Sequence, residues 1–194
     1  MSVTFLELFA GAGGFSLGLE LAGMSPVGAI ELDHFACQTY QYNNPSVPVH
    51  EGDIRHITKS NILNHYGGVD LIVAGPPCQG FSVAGPSQYG IIDARNFLIF
   101  EVHRFVKILR PRMFIVENVK GLLSGKLSRE RRALKEFIEQ ITKLGYKTKH
   151  FLLQAADYGA PQWRERVFIF GAIDEKDLPE LTCPQKTGPP KKLV

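Results

Sequence analysis

The segment that most constrains the fold is residues 69–74, VDLIVA. A run this continuous in apolar residues is the length of a strand, and it suits burial on both faces, as in a parallel sheet covered by helices. The rest of the chain repeats a compatible rhythm. Residues 3–9 form an apolar run that ends at a glycine cluster, and 15–22 follow with Leu17, Leu19 and Leu21 in a helix-compatible stretch. Residues 27–30 read as a second strand, then 33–42 as a helix with Asp33 placed to cap it. A short third strand is expected at 47–50 and a loop at 75–92. A helix is expected over 96–109, where Phe97, Phe100, Phe105, Ile108 and Leu109 fall near helical spacing.

Pro111 breaks that helix before a fifth strand at 113–116. Residues 128–144 give the clearest amphipathic helix and stop at Gly145. Strands at 147–153 and 166–170 flank a turn containing Gly159 and Pro161. Strands alternating with helices predict an α/β fold, doubly wound on a mostly parallel sheet, with ligands at the carboxyl ends of the strands. At 194 residues, 44% hydrophobic and 21% charged, the chain has the size and balance of one globular domain, expected over 1–173. The Pro- and Lys-rich residues 174–194 read as a tail or linker. No stretch approaches the roughly 20 apolar residues of a membrane span, and the start lacks the basic region of a signal peptide, so the expected location is cytoplasmic, or nucleoid-associated in a prokaryote.

The first strand ends in Phe9-Ala10-Gly11-Ala12-Gly13-Gly14, with Gly18 one helical turn on. Such a cluster lets backbone approach a ligand at a helix N-terminus, or it is simply a tight turn. Glu31 ends the second strand, where such folds set a carboxylate against ribose hydroxyls, and Asp53 follows the third. Glycines or acids at three successive strand ends point to a nucleotide-like cofactor. The fourth strand runs into Gly75-Pro76-Pro77-Cys78-Gln79-Gly80-Phe81-Ser82. Two prolines would stiffen the turn that presents Cys78, as a nucleophile needs; the alternative is an inert core thiol. The cysteines, Cys37, Cys78 and Cys183, form no CxxC pair, so any cysteine chemistry involves one thiol and no metal is expected. Glu117, read as following the fifth strand, would offer a carboxylate beside Cys78 if the fourth and fifth strands are neighbours, or merely a solvated acid. Arg164 and Arg166 fall on one side at strand spacing, as if toward an anion or carbonyl, or else lie on the surface. The net charge of +3 permits an anionic partner without demonstrating one.

FAGAGG, Glu31, Gly52-Asp53-Ile54, GPPCQGFS, Asp93-x-Arg95-Asn96-x-Leu98, Glu117-Asn118-Val119 and AADYGAPQWRER occur in an order and spacing that resemble the DNA cytosine-C5 methyltransferases. The resemblance extends over residues 3–172. It implies a Rossmann-like methyltransferase fold with S-adenosylmethionine as methyl donor, lined by Phe9, Gly11, Gly13, Gly14 and Pro76. Glu31 would take the ribose hydroxyls and Asp53 the adenine amino group. Cys78 would attack C6 of a cytosine flipped out of duplex DNA, Glu117 would bond N3 and the exocyclic amine, and Arg166, supported by Arg164, would hold O2. Residues 79–93 would form a mobile loop closing over DNA, with Gln79, Ser82, Ser87, Gln88 and Arg95 as candidate strand contacts.

The family pattern normally continues past the Pro-Gln-x-Arg-x-Arg segment into a target-recognition region, an arginine-rich motif and a Gly-Asn segment. None of these follows here. The expectation is a split subunit or a fragment, weakly active or inactive alone, whose partners are double-stranded DNA and a second polypeptide. Two alternatives within reach of the same residues are an RNA (tRNA) cytosine-C5 methyltransferase and a catalytically silent binding subunit.

Overall fold

The computed structural model describes residues 2–77, 98–123, 133–174 and 185–187. The chain divides into two compact units, Met1–Pro76 with Leu98–Val116, and Pro77–Phe97 with Glu117–Val194. In the first unit, strands β1 (Thr4–Leu8), β2 (Ser25–Glu31), β3 (Val49–Glu51), β4 (Leu71–Ala74) and the start of β5 (Met113–Val119) stand in the order β3-β2-β1-β4-β5. Every pairing among them is parallel. All four residues of β4 are buried, as expected of a strand with helices on both faces.

Helix α1 (Gly14–Leu21) sends Phe15 and Leu19 onto the face carrying Phe5, Leu71 and Val73. Helix α2 (His34–Asn43) buries Tyr40 against Ala10, Ala29 and Val47, and Asp33 caps it by accepting the Ala36 N–H at 2.8 Å. On the other face, helix α3 (Lys59–Tyr66) lays Tyr66 over Gly28 of β2. A Cβ at Gly28 would come within 2.6 Å of the Tyr66 ring, so only glycine permits this approach. Helix α4 (Ile99–Leu109) packs on α3 and buries Val102, Phe105, Val106 and Leu109, spaced as one helical stripe. Arg110 then turns left-handed (φ 52°) and ends the helix before Pro111.

Most of the expected elements appear, with three differences. Helix α3 was not anticipated, because KSNILNHY carries only Ile62 and Tyr66 as buried residues and shows no apolar period. The third strand lies at 49–51 rather than 47–50, since Val47 serves the core beneath Tyr40. Strand β5 does not stop at Val116: Glu117 lies within it, flanked by buried Val116 and Asn118, in an alternation that runs to Val119.

The second unit follows Glu117 through a 3₁₀ turn (Lys120–Leu123), helix α5 (Ala133–Lys143), and strands β6 (Lys147–Gln154) and β7 (Glu165–Ala172). Helix α5 buries Ala133, Leu134, Phe137 and Ile141 and packs against β6, and Gly145 (φ 88°) supplies the left-handed residue after it. Strands β6 and β7 pair antiparallel from Lys147↔Ala172 to Gln154↔Glu165. Between them Ala155–Asp157 form a 3₁₀ turn, on which Lys186 pairs with Asp157 at 2.7 Å and the Thr187 N–H donates to the Asp157 carbonyl.

Candidate functional site

In the first unit, the carboxyl ends of β1, β2 and β3 bring together Phe9, Gly11, Gly13, Gly14, Glu31 and Asp53. Phe9 holds φ at 57°, a left-handed backbone that bulky residues rarely adopt and that costs on the order of 1 kcal/mol or more. Gly11 (φ 56°) and Gly13 (φ 92°) continue the turn, and the Gly13 amide donates to the Ala10 carbonyl at 3.1 Å. A Cβ at Gly11 or at Gly14 would meet nothing within 4 Å, whereas one at Gly13 would strike the Tyr40 ring at 3.0 Å. One side of the turn is therefore open and the other rests on an aromatic floor.

Glu31 organises this turn. Its Oε2 accepts the Gly11 N–H at 2.8 Å, while Oε1 accepts the N–H groups of Leu32 at 2.8 Å and Asp33 at 2.9 Å. The Gly52 N–H donates to the Glu31 carbonyl at 2.8 Å and brings the end of β3 alongside. Asp53 caps the short turn Ile54–His56 through the Arg55 N–H and pairs with the Arg55 guanidinium. Those hydrogen bonds pull its carboxyl down to about 2. A ligand amino group would have to share Asp53 with Arg55. Pro76 is buried in this unit.

Arg104 of α4 also serves this end of the sheet. It donates to the Ile57 carbonyl at 2.8 Å and the Ile54 carbonyl at 2.7 Å, and pairs with Glu101 at 2.6 Å, which pins the segment after Asp53 to that helix. Leu32 and Phe35, in the segment after Glu31, are large apolar side chains left exposed. No periodic signal marks either kind of residue.

In the second unit, Glu117 meets both arginines. Its Oε1 lies 2.9 Å from Arg166 Nε and 3.6 Å from Arg164 Nη2, with Glu117 and Arg166 half-buried. The Arg164 backbone is held on both sides: its N–H donates to Gln154 Oε1, and its carbonyl accepts the Ala155 N–H at 2.9 Å. Glu165, between the two arginines in sequence, pairs instead with Lys120 at 2.9 Å. Gln154 was missed because its role depends on the antiparallel register of β6 and β7.

Cys78, Gln79, Ser82, Ser87, Gln88 and Arg95 lie outside the described residues, as do the expected loop 79–93 and Cys183. Cys37 is buried, donates to the Glu31 carbonyl, and has its thiol pushed up to about 11 by burial, with the nearby acids Glu51, Glu31 and Asp33 adding to the rise. At neutral pH it is not a nucleophile. Among the described residues no helix is long and apolar enough to cross a membrane.

The donor set fits an adenosyl cofactor: an open glycine cradle, a carboxylate fixed at the end of β2 and a second acid at the end of β3. The fold is that of a Rossmann-like α/β protein with a glycine turn at the strand ends. The sequence model of the C-5 cytosine-specific DNA methylases matches residues 3–193, and the chain belongs to that family.

Its relatives include the Type II methyltransferase M.DdeI of Desulfomicrobium norvegicum, 41% identical over 193 residues, which are 99% of this chain and 45% of that protein. M.AquIA of Picosynechococcus sp., another Type II methyltransferase, is 39% identical over 180 residues, 88% of this chain and 72% of the relative. The chain thus spans less than half of M.DdeI and most of M.AquIA. Among solved structures, a DNA modification methyltransferase encoded within an E. coli prophage superposes with a TM-score of 0.77 at 31% identity, covering 100% of this chain and 52% of that one. The DNMT2 structure from Spodoptera frugiperda, at 23% identity and a TM-score of 0.77, shares the fold.

Proposed function

We propose that this chain carries the cofactor site and the catalytic residues of a DNA cytosine-C5 methyltransferase. The observation that carries the reading is the convergence of Arg164 and Arg166 on Glu117, which sets a carboxylate and two guanidinium groups at one point of a family member that also contains Pro76-Pro77-Cys78-Gln79. S-adenosylmethionine, when bound, supplies an electrophilic sulfonium methyl group.

The chain's own residues do the rest. The Cys78 thiolate adds to C6 of a flipped-out cytosine; the new S–C6 bond breaks the C5–C6 π bond and shifts its electron pair to C5, which becomes the nucleophile. Glu117 holds the proton at N3 and accepts from the exocyclic amine, which stabilises the adduct. Arg166 bonds O2, and Arg164 keeps Glu117 and its loop in place. After C5 has taken the methyl group, water takes the C5 proton, the C5–H pair re-forms the C5–C6 double bond, and the S–C6 pair leaves with Cys78 as thiolate. Phe9, Gly11, Gly13, Gly14 and Pro76 line the donor site, with Glu31 on the ribose and Asp53 on the adenine amine. Gln79, Ser82, Ser87, Gln88 and Arg95 contact the target strand. The location is cytoplasmic, and residues 1–173 act as the catalytic domain.

The shortfall in length against M.DdeI favours a second polypeptide or further segment that completes target recognition and full activity. The test is transfer of tritiated methyl from S-adenosylmethionine to mixed-sequence duplex DNA, with an RNA control and the Cys78→Ser variant. It is run with and without a polypeptide bearing the remaining length of a relative. Incorporation into DNA that needs Cys78 and rises with the added polypeptide is expected. Transfer to RNA alone, or transfer that survives Cys78→Ser, overturns the reading.

A further inference from the structure

We propose that Glu7 is a positioning residue: from within β1 its carboxyl caps α1 and, through Ser16 and Tyr40, holds the Gly11–Gly14 turn in its ligand-ready shape. The inference rests on reading that turn as the cofactor site. A helix N-terminus leaves its first N–H groups without intrahelical partners, and a Ser, Thr, Asp or Asn at the N-cap ordinarily satisfies one of them. Here the N-cap is Gly13, which has no side chain to offer. Any side chain there would be strained, because its φ of 92° is left-handed and a Cβ would lie 3.0 Å from the Tyr40 ring. The acceptor must therefore come from elsewhere in the fold.

Glu7 supplies it. The side chain is buried, and its Oε2 accepts the Ser16 N–H at 3.2 Å together with the Ser16 hydroxyl; the Phe15 amide bears on the same carboxyl. Ser16 Oγ lies 2.6 Å from the Tyr40 hydroxyl. The Tyr40 ring is also the surface under Gly13, so one connected network joins β1, α1 and α2 directly beneath the turn. With the cap satisfied from below, the open side of the turn at Gly11 and Gly14 is left to a ligand. The groups that face the carboxyl are Ser16 and Glu20 from α1 and Tyr40 from α2, while the sheet neighbours Ala29 and Val73 are apolar.

The test compares the 194-residue chain with its Glu7→Ala, Glu7→Gln, Ser16→Ala and Tyr40→Phe variants by amide hydrogen exchange and by calorimetric titration with S-adenosylhomocysteine. In Glu7→Ala the amides of residues 11–17 are expected to exchange about tenfold faster or more while those of α5 do not change, and Glu7→Gln, which keeps an acceptor oxygen, stays near the parent. Affinity for S-adenosylhomocysteine is expected to fall about tenfold in Glu7→Ala and to recover in Glu7→Gln. Should Glu7→Ala fail to fold, Ser16→Ala and Tyr40→Phe decide, since each removes one hydroxyl and neither opens the sheet. Faster exchange confined to the turn supports the proposal, and unchanged exchange there in both variants overturns it. If the variants separate by exchange but the parent binds no S-adenosylhomocysteine, the positioning role stands and the cofactor reading falls.

Discussion

Replacing Glu7 with glutamine removes one titrating proton from the interior of the sheet, and its effect on stability can be worked from the structure. Burial pushes the Glu7 carboxyl from 4.5 up to about 7, against the opposing pull of the Ser16 hydroxyl and amide. Between those values the native chain holds a proton that the unfolded chain has released. Stability contributed by Glu7 is therefore fully present at low pH and declines as pH rises from about 4.5 through about 7. Each tenfold difference in proton affinity between the folded and unfolded chains is worth about 1.4 kcal/mol, so the decline amounts to about 3 kcal/mol once the carboxyl is ionised.

Glutamine is isosteric with the protonated acid, offers an acceptor to the Ser16 amide, and never ionises. The difference in unfolding free energy between Glu7→Gln and the parent should be near zero at about pH 4 and grow in favour of the variant by about 3 kcal/mol at about pH 8. Urea unfolding of both proteins across that range measures it, and taking the difference cancels every other titrating group. A flat difference profile would mean that the folded and unfolded chains hold the proton equally well, and one in which the variant loses ground as pH rises would mean that the fold favours the charged carboxylate; either refutes the reasoning.

Other perturbations separate strain, packing and charge. Gly11→Ala and Gly13→Ala both force a left-handed alanine, worth roughly 1 kcal/mol, but only Gly13→Ala also meets the Tyr40 ring, so denaturant unfolding should show the larger loss there. Arg104→Ala leaves the Ile54 and Ile57 carbonyls without their guanidinium donor and should cost about 2 kcal/mol, with faster amide exchange confined to the segment after Asp53. Lys120→Ala breaks an exposed pair with Glu165 and should change unfolding free energy by less than about 1 kcal/mol, the difference vanishing in high salt. The buried Cys37 thiol, held near 11, should resist iodoacetamide at about pH 8 in the folded chain, which peptide mass mapping reports directly.

Much of the first unit could be read from short-range pattern. A run such as VDLIVA needs two apolar layers, a glycine cluster after an apolar strand needs a turn, and Asp33 before a helical stretch needs an amide to accept. The amino-acid order alone therefore announced the parallel strands and the glycine turn after the first of them, and the linear motifs sufficed to place the chain in its family. Local pattern failed wherever a residue's meaning came from a distant partner. Helix α3 carries too few apolar residues to show a period, and it holds because Tyr66 fills the space left by Gly28.

Glu117 looked like the end of a strand because the apolar run stops at Val116, yet the alternation of buried side chains carries β5 to Val119. Glu7 sat unnoticed inside an apolar run, since nothing in LELF reveals that Ser16 and Tyr40 will close over it. Propensity and periodicity describe a residue's relation to neighbours within a turn or a strand's width. A carboxylate that caps another element, a guanidinium that spans two carbonyls, or a carboxylate shared by two arginines is set by chain packing and strand register, and those arise only once the chain has folded.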